Sequence, residues 1–219
     1  MELNIAEPLR YLGVRGEPDP ALRTEMSAVA DKLTKAVTPR YVYRVFPVTI
    51  EGRGVLLAGT ELALTGGMAR TMLADCSQAV LLVCTLGAGF EALLRAEQAR
   101  SMARAAMLDA CGSAWVEAGC GAAEAEISAR FPGLCLTDRF SPGYGDLPLE
   151  LQRDICAALD APRRLGVQVG DSLLMNPSKS VTAFIGLSER PQPARIRGCG
   201  HCALAGSCQY RKEGKTCGA

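Results

Sequence analysis

Arg139-Phe140-Ser141-Pro142-Gly143-Tyr144 places a charged fork, a rigid turn and an open backbone within six residues. Arg139 has the planar guanidinium geometry that grips a carboxylate, although an arginine in a turn can equally be a solvated charge. Pro142 fixes one φ angle, and Gly143 lets a ligand approach the main chain closely. A second constellation lies near the end of the chain, where Cys199, Cys202, Cys208 and Cys217 follow the spacing C-x2-C-x5-C-x8-C. Four thiolates at such spacing can close a tetrahedral zinc site or hold an iron–sulfur cluster. Cys217 lies close to the last residue, so three cysteines with another ligand is an alternative set. His201 falls inside the C-x2-C turn and is either a further ligand or a solvated side chain.

The elements that position these residues can be read from periodicity. Asp19 caps a helix that has Pro20 at its first position, with Leu22, Met26, Val29, Leu33 and Val37 at helical spacing. Tyr41 to Ile50 and Val55 to Ala58 form a β-hairpin around Glu51-Gly52-Arg53-Gly54. A short helix over Met68 to Leu73 precedes the apolar run Ala79 to Leu86, which reads as a buried central strand. Gly87-Ala88-Gly89 follows; it lacks the third glycine of a dinucleotide fingerprint and the Lys-Ser/Thr of a P-loop, so it is a weak anion contact. Residues 100–130 are Ala-rich and helical, with Gly112, Gly119 and Gly121 either weakening the helix or admitting a close neighbour. Leu134 to Phe140 is expected as a strand running into the Arg139 turn, Pro148 to Leu159 as a helix ended by Asp160-Ala161-Pro162, and Val181 to Leu187 as the last strand. Residues 1–17 show little periodicity. The order of helices and hairpin-like strands implies an α+β fold, a mixed or antiparallel sheet with flanking helices, rather than regular βαβ alternation. Residues 1–190 form the main domain, and after Pro191-Gln192-Pro193 residues 191–219 form a Cys-rich metal-binding tail.

Composition bounds the partners. The chain has 219 residues, 48% of them hydrophobic, and a net charge of +1, so it can bury a core but projects no global field toward nucleic acid or an anionic membrane. The first residues have neither the basic start nor the apolar run of a signal peptide, and no stretch has the length of a membrane span. A cytoplasmic location is expected, and there clustered cysteines bind metal more often than they form disulfides. Cys76, Cys84, Cys111, Cys120, Cys135 and Cys156 stand among apolar neighbours and read as small core residues. Six basic side chains after Glu189 face one acid, Glu213, with Tyr210 the one aromatic there; they balance an anionic metal site or dock an acidic partner, and no stacking surface for nucleic acid accompanies them.

Arg139, Gly143 and Tyr144, with Pro142 before the glycine and Pro148 after the loop, resemble the S-adenosylmethionine-binding motif of the reactivation domain of cobalamin-dependent methionine synthase, Arg-x-x-x-Gly-Tyr. Ser172 to Phe184 resembles a second segment of that family, and the two together cover residues 105–188. The resemblance implies that Arg139 holds the ligand carboxylate and that Pro142, Gly143 and Tyr144 frame the adenosyl part. Glu117 stands near where the family places a ligand-contacting acid, and its alternative is an exposed helix charge. The family's function is to donate a methyl group from S-adenosylmethionine to corrinoid cobalt while one electron arrives. This chain has no Asp-x-His-x-x-Gly sequence and a single histidine. It is therefore expected to bind cobalamin only through a partner, a corrinoid protein or a cobalamin-dependent methyltransferase, with an electron-donor protein or the cysteine tail as the source of electrons. The family pattern has no such tail, and a Tyr it carries after the last matched strand is missing here. Two other readings remain: a docking module for a corrinoid protein without turnover, and a small iron–sulfur electron carrier.

Overall fold

The computed structural model describes residues 1–52 and 54–193, with Gly206 and Lys212. The elements follow in the order α1 (Ala6–Tyr11), α2 (Pro20–Ala36), β1 (Arg40–Glu51), β2 (Gly54–Leu57), β3 (Ala63–Thr65), α3 (Gly67–Leu73), β4 (Gln78–Thr85), α4 (Gly87–Gln98), α5 (Met102–Arg130), β5 (Cys135–Leu136), α6 (Leu151–Ala158), α7 (Ala161–Leu165), β6 (Gln168–Val169), β7 (Met175–Asn176) and β8 (Ser180–Ser188). Six strands form one sheet in the order β3-β2-β1-β4-β8-β5, and β6 pairs with β7. The β1–β2, β2–β3, β5–β8 and β6–β7 pairs are all antiparallel. This is the expected α+β class with helices around an antiparallel sheet. Among the described residues no helix is long and apolar enough to cross a membrane. The segment 191–219 falls almost entirely outside the described residues, as do all four of its cysteines and His201.

The chain divides into two compact units, and β1, β4 and β8 contribute residues to both. The first comprises residues 1–44, 82–130 and 150–182. Its axis is α5, against which α1, α2 and α4 pack. Buried residues fall in adjacent groups along α5, Ala110-Cys111-Gly112 and Ala114-Trp115-Val116, so its middle is covered on more than one face. α2 buries Met26, Val29, Ala30 and Leu33 at i, i+3, i+4 and i+7, and Asp19 caps it by accepting from the Ala21 amide at 2.7 Å. Glu97 of α4, almost wholly buried, pairs with Lys32 of α2 and with Arg104 of α5, which keeps its carboxyl below the usual range. The Trp115 indole donates to the Val37 carbonyl at 2.8 Å.

The second unit comprises residues 45–81 and 131–149 and the chain from Ala183 onward. β2 and β3 pack against α3 here. Leu57, Leu64, Met72, Leu73, Phe140 and Phe184 are almost fully buried in this unit. Of the six cysteines expected in the core, Cys76, Cys84, Cys111, Cys120 and Cys156 are buried and Cys135 is half-buried.

The glycines of α5 divide by what faces them. A Cβ on Gly112 would lie 2.4 Å from the Phe90 ring, and one on Gly119 would lie 2.5 Å from Pro39, whereas Gly121 faces open space. Close packing therefore explains the first two. Gly112→Ala should destabilise the fold by about 1–3 kcal/mol through overpacking. Gly121→Ala should stabilise it by roughly 0.5–1 kcal/mol through helix propensity alone. Urea denaturation of the two variants checks both signs.

Candidate functional site

Between β5 and the Arg139 loop the chain leaves regular pairing. Cys135 and Leu136 face Ser188 and Leu187 of β8. Thr137 and Gly186 then bond reciprocally: the Thr137 amide donates to the Gly186 carbonyl at 3.0 Å, and the Gly186 amide donates to Thr137 Oγ1 at 2.8 Å. The next pair is Phe140 with Phe184, whose amides donate to each other's carbonyls at 3.1 and 2.8 Å. From Thr137 to Phe140 the chain takes three residue steps while β8 takes two, so this segment is one residue longer. That is a β-bulge, a device that bends a strand and re-aims a side chain. Asp138 and Arg139 occupy it, and Arg139 is half-buried. The continuous strand expected over Leu134 to Phe140 is therefore two residues of ladder, a bulge and a bridge.

The bulge is fixed on both sides. Phe140 and Phe184 are fully buried and stack with ring centroids 5.4 Å apart. Gly186 can have no side chain, because a Cβ would lie 2.4 Å from Cys76 Sγ, 2.8 Å from Thr137 Cγ2 and 2.9 Å from Leu73 Cδ2.

Beyond Phe140 the chain turns. The Tyr144 amide donates to the Ser141 carbonyl at 3.1 Å, with Pro142 and Gly143 between them and Gly143 at φ +90°. Proline at the second position and a positive-φ glycine at the third are the requirements of a type II turn. A second turn follows, Leu147 N to Tyr144 O at 3.0 Å, and the Gly143 amide closes the loop on the Leu147 carbonyl at 2.9 Å. Pro142 and Leu147 are buried, while Gly143 is exposed and Tyr144 is 50% exposed. Asp146, which sequence reasoning passed over, accepts from the Gly67 amide at 2.6 Å and the Met68 amide at 2.9 Å at the start of α3. The amides of Met68 and Gly67 hold its carboxyl below the usual range.

Glu117 lies in the other compact unit, exposed on α5. Its charge reaches Tyr11 of α1, whose phenol is pushed up by burial first and then by Glu7, with Glu117 adding to it. In the same unit the segment with the second sequence resemblance is held by its polar side chains. The Ser178 amide and hydroxyl both donate to Glu91 Oε1 at 2.7 Å. Lys179 Nζ donates to Asp109 Oδ2 and Ser113 Oγ, each at 2.9 Å. Ser180 Oγ lies 2.7 Å from Thr85 Oγ1 and donates to the Pro177 carbonyl at 2.7 Å. The Gly87 amide is bonded to Thr85 Oγ1 at 3.0 Å, so the Gly-x-Gly does not offer that donor to an anion. Among the described residues no group of three or more His, Cys, Asp or Glu side chains is arranged to hold a metal.

The fold as a whole, an antiparallel sheet with flanking helices, has a solved counterpart. No protein-family model matches the chain, and no curated protein matches it. The crystal structure of the MetH reactivation domain bound to AdoHcy superimposes with a TM-score of 0.67 at 16% sequence identity, covering 97% of this chain and 82% of that one. This protein thus has the reactivation-domain fold.

The bulge depends on the Thr137 hydroxyl, and that can be measured. Thr137→Val leaves the buried Gly186 amide without its acceptor and should cost about 1–3 kcal/mol of unfolding free energy. Thr137→Ser keeps the hydroxyl and should lose less. Equal losses in denaturant titrations would remove the hydrogen bond from the account.

Proposed function

We propose that this protein binds S-adenosylmethionine on the Arg139–Tyr144 loop and supports reductive reactivation of a corrinoid protein or cobalamin-dependent methyltransferase in trans. The observation that carries this reading is a half-buried arginine on a β-bulge, followed at once by a Pro-Gly turn with an exposed backbone, in a chain with the fold of a domain solved with AdoHcy. AdoHcy is what S-adenosylmethionine becomes when its methyl group leaves.

The residues fit such a ligand. Arg139, a half-buried residue on the bulge, would hold the ligand's amino-acid carboxylate through its guanidinium fork. Gly143, lacking a side chain, leaves the backbone open to the adenosyl part, and Tyr144 offers an exposed aromatic face beside it. Pro142, buried beneath the turn, limits its conformations. Glu117, the acid the resemblance would bring to the ligand, belongs to the other compact unit and is not built into this site. Bound S-adenosylmethionine supplies a methyl group to corrinoid cobalt on a partner. The share of this chain is to position the donor, not to perform acid–base chemistry.

Calorimetry with S-adenosylmethionine tests the site. Binding is expected, and Arg139→Ala should weaken it by roughly ten- to a hundredfold, the worth of one charge-assisted carboxylate clamp. No binding, or binding indifferent to Arg139, sinks the reading.

A second reading concerns the tail and rests on cysteine spacing alone. Cys199, Cys202, Cys208 and Cys217 bind zinc or an iron–sulfur cluster, and a cluster could deliver the electron that cobalt methylation requires. Metal analysis and a visible spectrum of anaerobically purified protein decide this: a metal-free protein ends the metal reading, and a colourless protein with stoichiometric zinc ends electron delivery.

A further inference from the structure

The ligand loop contains a weakness that one side chain outside the Arg-x-x-x-Gly-Tyr frame offsets. Gly143 and Gly145 both have positive φ, +90° and +56°. Two glycines so close leave an unrestrained loop many conformations, and ordering them on binding would cost affinity. Buried Pro142 and Leu147 hold the two ends, but residues 143–146 between them are exposed. Among the described residues, the hydrogen bonds that tie this stretch to another element are the two that Asp146 accepts from Gly67 and Met68.

We propose that Asp146 is the positioning residue of the ligand loop, its carboxylate latching residues 143–146 to the opening of α3 so that the backbone around Gly143 and Tyr144 is already in place when ligand arrives. Both carboxylate oxygens are used, one for each amide, which fixes the orientation of the side chain as well as its position. The surroundings are shaped to it. Gly66 has φ +110°, and a Cβ there would lie 2.8 Å from Asp146 Cγ and from its Oδ1. Gly145 brings the chain under Met68, where a Cβ would lie only 2.8 Å from Met68 Cε. Asp146 acts through the loop conformation, by its bonds to the Gly67 and Met68 amides. The inference deepens the S-adenosylmethionine reading and rests on it for the ligand's identity.

The test compares wild type, Asp146→Ala, Asp146→Asn and Gly66→Ala by calorimetry with S-adenosylmethionine, by amide hydrogen exchange and by thermal melting. Asp146→Ala should bind roughly tenfold more weakly, a loss expected when a pre-organised loop must be ordered at the moment of binding. Its Gly143 and Leu147 amides should exchange faster while the melting temperature changes little. Asp146→Asn, which keeps one acceptor oxygen, should recover part of the affinity. Gly66→Ala, which strains a positive-φ backbone as well as crowding the carboxylate, should lower both the affinity and the melting temperature. Should Asp146→Ala prove unstable, the Asn variant decides by itself. Unchanged affinity together with unchanged exchange overturns the positioning role. If wild type takes up no S-adenosylmethionine, the site reading fails, and exchange at Gly143 and Leu147 alone decides whether the latch exists.

Discussion

The reciprocal bonds between Thr137 and Gly186 are the fixed point from which the candidate site is laid out. Regular pairing would carry Asp138 and Arg139 along β8 in strict alternation. Because Thr137 and Phe140 are each locked to β8 while one residue too many lies between them, the chain must bulge there. Everything that follows is placed relative to that bulge: Phe140 returns to the core, Pro142 is buried beneath the turn, and Gly143 emerges with a left-handed φ. The partner strand accommodates this only because Gly186 has no side chain to meet Cys76, Thr137 and Leu73. Arginine position and glycine identity are thus two ends of one constraint.

The helical unit obeys a related rule, in which absent side chains permit close approach. Gly112 admits the Phe90 ring and Gly119 admits Pro39 and Cys84. These contacts allow α5, covered on more than one face, to be reached closely by its neighbours. Lys179 adds the polar counterpart, its stem running beside Gly112 and its ammonium group bonded to Asp109 and Ser113 of α5.

Much of this was legible in the residues, and the parts that were not share a cause. Asp19-Pro20 announced α2, the apolar run over Ala79 to Leu86 announced β4, and the alanine-rich stretch announced α5, because each signal is local and long enough to repeat. α1 has six residues and β3 has three, too few for periodicity to register. Asp160-Ala161-Pro162 was expected to end a helix; it does, but the same proline also opens α7 at a position where a missing amide costs nothing. The bulge was invisible because it is a property of two strands: nothing in Thr-Asp-Arg-Phe says that its partner takes one step fewer. Asp146 was passed over for the same reason, since its partners lie 78 and 79 residues away. The turn at Ser141 to Tyr144 could be read because its chemistry is contained in four residues.

This difference also separates the two segments that carried the family resemblance. In Ser172 to Phe184 the polar groups of Ser178, Lys179 and Ser180 are engaged with Glu91, Asp109, Ser113, Thr85 and the Pro177 carbonyl. Their residue types are therefore accounted for by holding β7 and β8 to α4 and α5, without a ligand. That segment argues for the fold, in agreement with the superposition at low sequence identity. The Arg139 loop is different in kind. Its backbone bonds close upon themselves, its apolar residues anchor the ends, and the exposed middle presents main chain and an aromatic face to solvent. Exposed Pro-Gly turns also serve as plain connections, so the loop's part in ligand binding belongs to the proposed reading, in which it and not the downstream segment would meet the ligand.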